Sequence, residues 1–247
     1  MHRFYYPDTD FTCDQITLTD KGEIHHLQNV LRLKKGNEII IFNGKNKETQ
    51  GIIVSMNSKE VVVKILSTRE NKIHLPHIIL ACAIPKKTKF EFILEKATEL
   101  GVSEIIPLKT ERTEFRLAGE RLIGKQKRFE TVVINAAKQC RRSTIPKIHP
   151  ITKFDDALIG LTQTAHVLFP CLSGNRKPIL KALQDCDSSK PIAIMIGPEG
   201  DFTEQEYAAA QKKGCTLITL GDTILKVETA ALCTLACVAQ FYQNSKH

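Results

Sequence analysis

The sequence predicts a two-part fold, a small all-β region over residues 1–70 followed by an α/β domain with a parallel sheet over 74–247. Three observations predict it. Short β-branched runs separated by turn dipeptides occupy the first part. From residue 74 onward, apolar strands alternate with helical periods. Between the two, Arg69-Glu70-Asn71-Lys72 reads as a polar linker.

In the first part the strands are 38–42, 50–54 and 60–66, with Asn43-Gly44 and Asn57-Ser58 as turn chemistry, the pattern of a meander or small barrel. One amphipathic segment, Gly22 to Leu31, places Ile24, Leu27, Val30 and Leu31 at helical spacing. In the second part, 77–84 is a fully apolar strand. Residues 89–100 form a helix with Phe90, Ile93, Leu94 and Ala97 on one face, stopped by Gly101. Strand 104–108 and a long helix 120–140 follow, then strand 165–169, a short helix 178–183 and the buried strand 191–196. Thr203-Glu204-Gln205-Glu206 is a capping box that opens a helix to Lys213. Strand 216–220 and helix 228–242 complete the order, and that helix is apolar nearly all round, which calls for burial by a core or by another subunit.

Composition excludes several classes. With 42% hydrophobic and 25% charged residues over 247 positions, the chain has globular and not disordered composition. No apolar run reaches the ~20 residues of a membrane span, and the polar, acidic N-terminus does not suit a signal peptide, so a cytoplasmic protein without a membrane partner is expected. Eight cysteines fall without a CxxC pair and without clustered histidines, which argues for reduced thiols and no metal site. His25-His26 reads as helix or packing residues. The formal charge of +8 is uneven: residues 109–147 carry eleven basic and four acidic residues, whereas 191–247 is net negative. Such a segment is an electrostatic footprint for a phosphate backbone or, alternatively, the solvated face of a long helix.

Two loops could carry chemistry. Ile194-Met195-Ile196-Gly197-Pro198-Glu199-Gly200-Asp201-Phe202 runs from a buried strand through a glycine turn into a helix. It has neither a GxGxxG fingerprint nor a P-loop lysine, and alone it could be an ordinary tight turn. Leu220 to Ala231 repeats the pattern. Two such strand ends could line one pocket, better suited to a purine with an apolar or sulfonium tail than to a triphosphate.

These pieces, together with His25–Leu33, Lys96–Val102, Pro107–Arg112 and Ala136–Arg142, resemble in order and spacing the ribosomal RNA small subunit methyltransferase E family. The resemblance covers nearly the whole chain. It implies a trefoil-knotted (SPOUT) α/β methyltransferase domain with an N-terminal PUA-like barrel, a homodimer, and S-adenosylmethionine-dependent methylation of N3 of one uridine in 16S rRNA of the small ribosomal subunit. By position it implies cofactor binding at Met195, Ile196, Gly197, Pro198, Gly200, Leu220, Gly221, Ile224, Leu225, Thr229 and Ala230. RNA binding falls on Arg32, Arg112, Arg141 and Arg142. Lys226 is the candidate cation for the charge that grows on the uracil oxygens. Glu199 or Glu228 is the candidate base, with bulk water as the alternative and a first-turn helix charge as the plain reading of Glu228. The family usually has a second glycine at Asp201, for which a helix-terminal charge is the local reading, and arginine at Lys226. Those two departures favour the competing reading, a non-catalytic RNA-binding or assembly protein. A SPOUT enzyme with another RNA target is the third reading.

Overall fold

The computed structural model describes residues 1–71, 76–85, 89–113, 119–172 and 174–244. The chain divides into two units: Met1–Ile73 with Ile134–Ile145, and His74–Val133 with Pro146–His247. The short second piece of the first unit comes from the long basic helix and the turn after it.

In the first unit, β1 (His2–Tyr5), β2 (Gln15–Leu18), β3 (Glu38–Phe42), β4 (Lys47–Met56) and β5 (Val61–Glu70) form one sheet in the order β1-β3-β4-β5-β2. All pairs are antiparallel except β1 with β3. No ladder joins β1 to β2 among the described residues, so the expected barrel is, in its backbone pairing, a five-stranded sheet. Alternation puts Ile39, Ile41, Ile53, Val61 and Val63 into the core with Phe4 and Leu27. The two turns form as their asparagines dictate. Asn43 Oδ1 accepts the Lys45 amide at 2.8 Å, and Asn57 Oδ1 accepts those of Lys59 and Glu60 at 2.8 and 3.0 Å.

Two expectations in this unit need correction. Arg69 and Glu70 are not linker but the end of β5, because they face Glu48 and Lys47 on β4 as opposite charges across the ladder; Lys72 lies outside the described residues. The segment 22–31 is not one α-helix: α1 (Lys21–His25), N-capped by Asp20, passes into a π-helical turn over His26–Val30. The wider turn shifts the phase, so Ile24 and Leu27 are buried while Val30 is 61% exposed.

Charged side chains also tie the two pieces of this unit together. Arg3 donates to Glu48 at 2.7 Å and to the Ser143 hydroxyl at 3.1 Å, Arg69 donates to Glu48 at 2.6 Å, and Ser143 also bonds Glu48. Asn71 donates to the Ser143 hydroxyl at 2.8 Å, and the Asn46 amide donates to the Ser143 carbonyl at 3.0 Å. Burial pushes the Glu48 carboxyl up, but the hydrogen bonds from Ser143, Arg3 and Arg69 outweigh it and hold the group below the ordinary carboxylate range.

The second unit is a parallel sheet of β6 (Ile78–Ala83), β7 (Glu104–Lys109), β8 (Lys147–Ile148), β9 (Thr152–Lys153), β10 (His166–Pro170), β11 (Lys177–Pro178), β12 (Ile192–Ile196) and β13 (Thr216–Thr219). Its order is β11-β13-β10-β12-β6-β7-β8, with β9 also on β7. Helices α2 (Lys89–Glu99), α3 (Glu120–Gln139), α4 (Phe154–Thr164), α5 (Ile179–Gln184), α6 (Glu204–Lys212) and α7 (Val227–Asn244) alternate with the strands. Every side chain of β6 and β12 is buried, as expected for strands covered on both faces. On one face Ala81, Leu108, Phe169 and Met195 pack with Phe154 and Leu158 of α4 and Ala210 of α6. Elsewhere α7 packs on α2, α5 and β12.

Helix ends follow their sequence signals. Gly101, at φ +94°, closes α2 with the Val102 and Gly101 amides donating to Ala97 and Thr98 carbonyls at 3.1 and 3.2 Å. The capping box of α6 is present in full. Sequence patterning gave no sign of α4. Its N-cap is Lys153, with no capping hydrogen bond, and Gly160 interrupts its period.

Candidate functional site: a cleft at the carboxyl ends of three parallel strands

Strands β13, β10 and β12 are neighbours, and the loops that leave their carboxyl ends enclose a cleft of about 270 Å³. That edge of an open parallel sheet is where such folds bind ligands. Of the residues assigned to the cofactor from the sequence, Ile196, Gly197, Pro198, Leu220, Gly221, Ile224, Leu225 and Ala230 line the cleft, with the catalytic candidates Glu199 and Lys226. Met195 does not: strand alternation turns its side chain into the core, where it is fully buried. Gly200 and Thr229 also lie off the lining. Missed entirely was the third wall, Pro170, Cys171, Leu172 and Arg176 after β10. No turn motif marks that loop, and only the strand order brings it to the other two.

The loop after β12 is held from several sides. A Cβ on Gly197 would lie 3.0 Å from the Phe202 ring, a contact tight enough that the ring would have to shift to admit a side chain there. Phe202 packs in turn, with tilted rings, against Phe169 at 4.5 Å and Phe154 at 5.4 Å between ring centres. The Asp201 amide donates to the Pro198 carbonyl at 2.9 Å, closing a turn over Glu199 and Gly200. Asp201 itself sits at φ +60°, the left-handed region where glycine is at ease and aspartate is among the few other residues tolerated. Its carboxylate accepts the Phe202 amide and the Tyr207 hydroxyl, both at 2.8 Å. Burial, reinforced by that carboxylate, pushes the Tyr207 phenol far up, so it stays a hydrogen-bond donor. Asp201 therefore fastens the loop to Tyr207 of α6, two residues ahead of that helix's N-cap Thr203.

A second link joins this loop to the segment after β7. Arg112 donates to the Gly200 carbonyl at 2.5 Å and to that of Phe202 at 3.4 Å. Glu206, whose Oε2 completes the α6 capping box with the Thr203 amide, uses Oε1 to accept the Glu111 amide at 3.1 Å.

The loop after β13 is fixed by Thr219, whose hydroxyl accepts the Gly221 amide at 3.2 Å and donates to the Gly221 carbonyl at 3.1 Å. Gly221 has φ +125°, and a Cβ there would meet no protein atom within 4 Å. Its bareness leaves room at the cleft wall. Ile224 is 79% exposed, an apolar surface presented to the cleft with little protein cover. Lys226 is exposed, and its carbonyl accepts the Ala230 amide at 2.8 Å in the first turn of α7.

The two candidate carboxylates differ. Glu199 is exposed and lines the cleft. Glu228 is mostly buried in the first turn of α7, off the lining, with Lys89 Nζ at 3.5 Å from one oxygen and, among the described residues, no partner on Oε2. Both stand close enough to Cys82 to add to the burial that drives its thiol far up. The thiol is thus inert, a small hydrophobe at the end of β6. Among the described residues no group of three or more His, Cys, Asp or Glu could hold a metal.

The basic footprint is partly spent internally. Arg128 pairs with both oxygens of Glu91 at 2.7 Å, Lys125 with the same carboxylate at 3.1 Å, and Lys138 with Glu23. Arg142 is half-buried, donates to the Thr144 hydroxyl at 3.1 Å, and is shifted down by burial. Arg141 is exposed at φ +63°, and Arg32 is exposed at φ +53°. Arg32, Arg141 and Arg142 belong to the first unit and Arg112 to the second; Glu114 and Arg116 lie outside the described residues.

Comparison with known proteins agrees with this arrangement. A model of the RNA methyltransferase domain matches residues 71–239, and one of the RNA methyltransferase PUA domain matches 18–66. The ribosomal RNA small subunit methyltransferase E of Mesomycoplasma hyopneumoniae is 32% identical over 94% of this chain and 96% of its own length. That of Bacillus subtilis is 28% identical over 88% and 87%. The crystal structure of the Neisseria gonorrhoeae ribosomal RNA small subunit methyltransferase E bound to S-adenosylmethionine superimposes with a TM-score of 0.86, at 30% identity and 97% coverage of both chains. Matched over both parts by family models and along nearly its whole length by such relatives, the chain belongs to the ribosomal RNA small subunit methyltransferase E family.

Proposed function

We propose that this protein methylates N3 of a uridine in 16S rRNA of the small ribosomal subunit, with S-adenosylmethionine as methyl donor held in the cleft at the ends of β10, β12 and β13. The observation that carries the reading is the convergence on one cleft of the two glycine loops, an uncovered Ile224 and the charged pair Glu199 and Lys226. The residues fit the cofactor. Ile224, Leu225 and Leu220 offer apolar surface to an adenine ring, bare Gly221 leaves space at the wall, and the loop backbones offer hydrogen-bonding groups. When bound, the cofactor supplies a methyl group activated by its positive sulfur.

The chain's own residues have three tasks. N3 of uridine is protonated at neutral pH and lies on the pairing edge, so the base must enter the cleft unpaired. Lys226, exposed at the rim, places an ammonium near O2 or O4 of the uracil and stabilises the negative charge that spreads over the ring as N3 loses its proton. Glu199 takes that proton, because it lines the cleft, whereas Glu228 is engaged by Lys89 and serves to orient the start of α7. Fixed loops keep these groups aligned.

The remaining features follow the same reading. The N-terminal unit contacts RNA as a PUA domain, and the α/β unit carries the SPOUT knot. The half-buried stripe Leu232, Cys233, Ala236, Cys237 and Phe241 along α7 is covered by a second copy in a homodimer. The enzyme acts in the cytoplasm during ribosome biogenesis. Small subunits lacking the modification, incubated with the protein and methyl-labelled S-adenosylmethionine, are expected to yield N3-methyluridine at one position of 16S rRNA. Label on a ribose, or only on another RNA, would overturn the assignment.

A further inference from the structure

Lys109, the last residue of β7, and Lys153, the last of β9, are Cα partners in a parallel pair. Registered residues of neighbouring strands point to the same face, and the strands lie about 4.8 Å apart, so two ammonium side chains leave one edge side by side. Both are exposed, and among the described residues neither takes part in an ion pair. Like charges directly opposite each other cost stability. Lys153 is doubly misplaced, since it also occupies the N-cap of α4, where serine, threonine, aspartate or asparagine would cap the helix and a positive charge opposes the dipole. Asp155 and Asp156 in the first turn answer the dipole.

The pair is also rigidly presented and suitably placed. Behind Lys109 the chain is pinned by the Thr110 and Thr113 hydroxyls at 2.7 Å from each other and by the Glu111 amide on Glu206. All strands of the sheet are parallel, so the lysines stand on the same edge as the cofactor cleft. With the order β12-β6-β7, β7 lies two strands, roughly 10 Å, from the wall that carries Glu199.

We propose that Lys109 and Lys153 form a phosphodiester-binding clamp that grips the RNA strand next to its target base. The inference rests on the methyltransferase reading for the identity of the polyanion and adds a binding site to it. The anion that best suits two adjacent ammonium groups on an edge open to solvent is a phosphate of a polynucleotide, because each lysine acts as a point charge and neither demands a planar acceptor.

The test uses full-length protein and a labelled single-stranded oligouridine, titrated between 50 and 200 mM salt. In Lys109→Ala/Lys153→Ala, affinity at 100 mM salt is expected to fall about tenfold, and the slope of log K against log salt to flatten by roughly 1.4, two contacts at ~0.7 each. Wild type would thus lose about sevenfold more affinity than the variant across that range. S-adenosylmethionine affinity is expected to be unchanged, and thermal stability unchanged or raised, because a repulsive pair has been removed. Lys153→Glu alone should raise stability and weaken RNA binding. An unchanged slope and affinity in the double variant would overturn the clamp, even with methyl transfer intact. Conversely, absence of methyl transfer by wild type alongside a flattened slope would refute the enzymatic reading and leave the anion site standing.

Discussion

Lys226 and Asp201 both line the cleft, in different settings. Lys226 stands at the rim of the cleft with its ammonium exposed. If it stabilises charge on the base, Lys226→Ala should lower the methyl-transfer rate about 10²- to 10³-fold while cofactor affinity stays within threefold, and Lys226→Arg should recover much of the rate. Single-turnover kinetics with calorimetry decide it; a near-normal rate in the alanine variant would end that role. Asp201 is positional. The sequence displays the acid, but not the φ of +60° or the bond to Tyr207 that explain it. Asp201→Ala should cost about 2–3 kcal/mol, from left-handed strain and a lost charge-assisted bond. Asp201→Gly should cost less and Asp201→Asn least, as read by chemical denaturation; a flat series would contradict the account.

At the scale of elements, α6 shows how far local signals reach. Its capping box was legible because Thr203 and Glu206 have the required spacing. That Glu206 also accepts the Glu111 amide was not, because this contact joins residues 95 apart in sequence. Thr203→Ala should therefore cost about 1 kcal/mol, the usual worth of a cap, whereas Glu206→Ala should cost about 2–3 kcal/mol because it orphans a second amide. Equal losses in denaturant titrations would show the second bond to be idle. The same logic explains the misread elements. Strong periods such as those of β6, α3 and α7 were visible in sequence. The π-helical turn after α1, the Lys-capped α4 and the two-residue strands β8, β9 and β11 were not, since each depends on packing or register and carries no propensity signal of its own.

For the whole molecule, the net charge of +8 resolves into parts with different roles. Lys125, Arg128 and Lys138 of the basic segment serve ion pairs, and Arg3 and Arg69 serve Glu48, which leaves a smaller set of exposed cations for RNA. The sequence located the excess but could not separate structural from available charge. Glu48 makes the structural part measurable. Its carboxyl titrates below the ordinary value in the folded state, so its contribution is fully present above about pH 4.3 and is lost as pH falls through the lower folded value. Glu48→Gln should destabilise the N-terminal unit at pH 7 by about 3 kcal/mol, because Arg3 is left buried without a charge partner. It should also lessen the loss of stability between neutral and acid pH; an unchanged acid profile by circular dichroism would contradict this.

The claim on which everything else depends is that the cleft at the ends of β10, β12 and β13 holds the cofactor. Calorimetric titration of S-adenosylmethionine into wild type and Ile224→Asp tests it most directly, because a side chain 79% exposed can be changed without disturbing the fold. The account predicts one site in wild type, at least tenfold weaker binding in the variant, and equal melting temperatures. Equal affinities in the two proteins would contradict it.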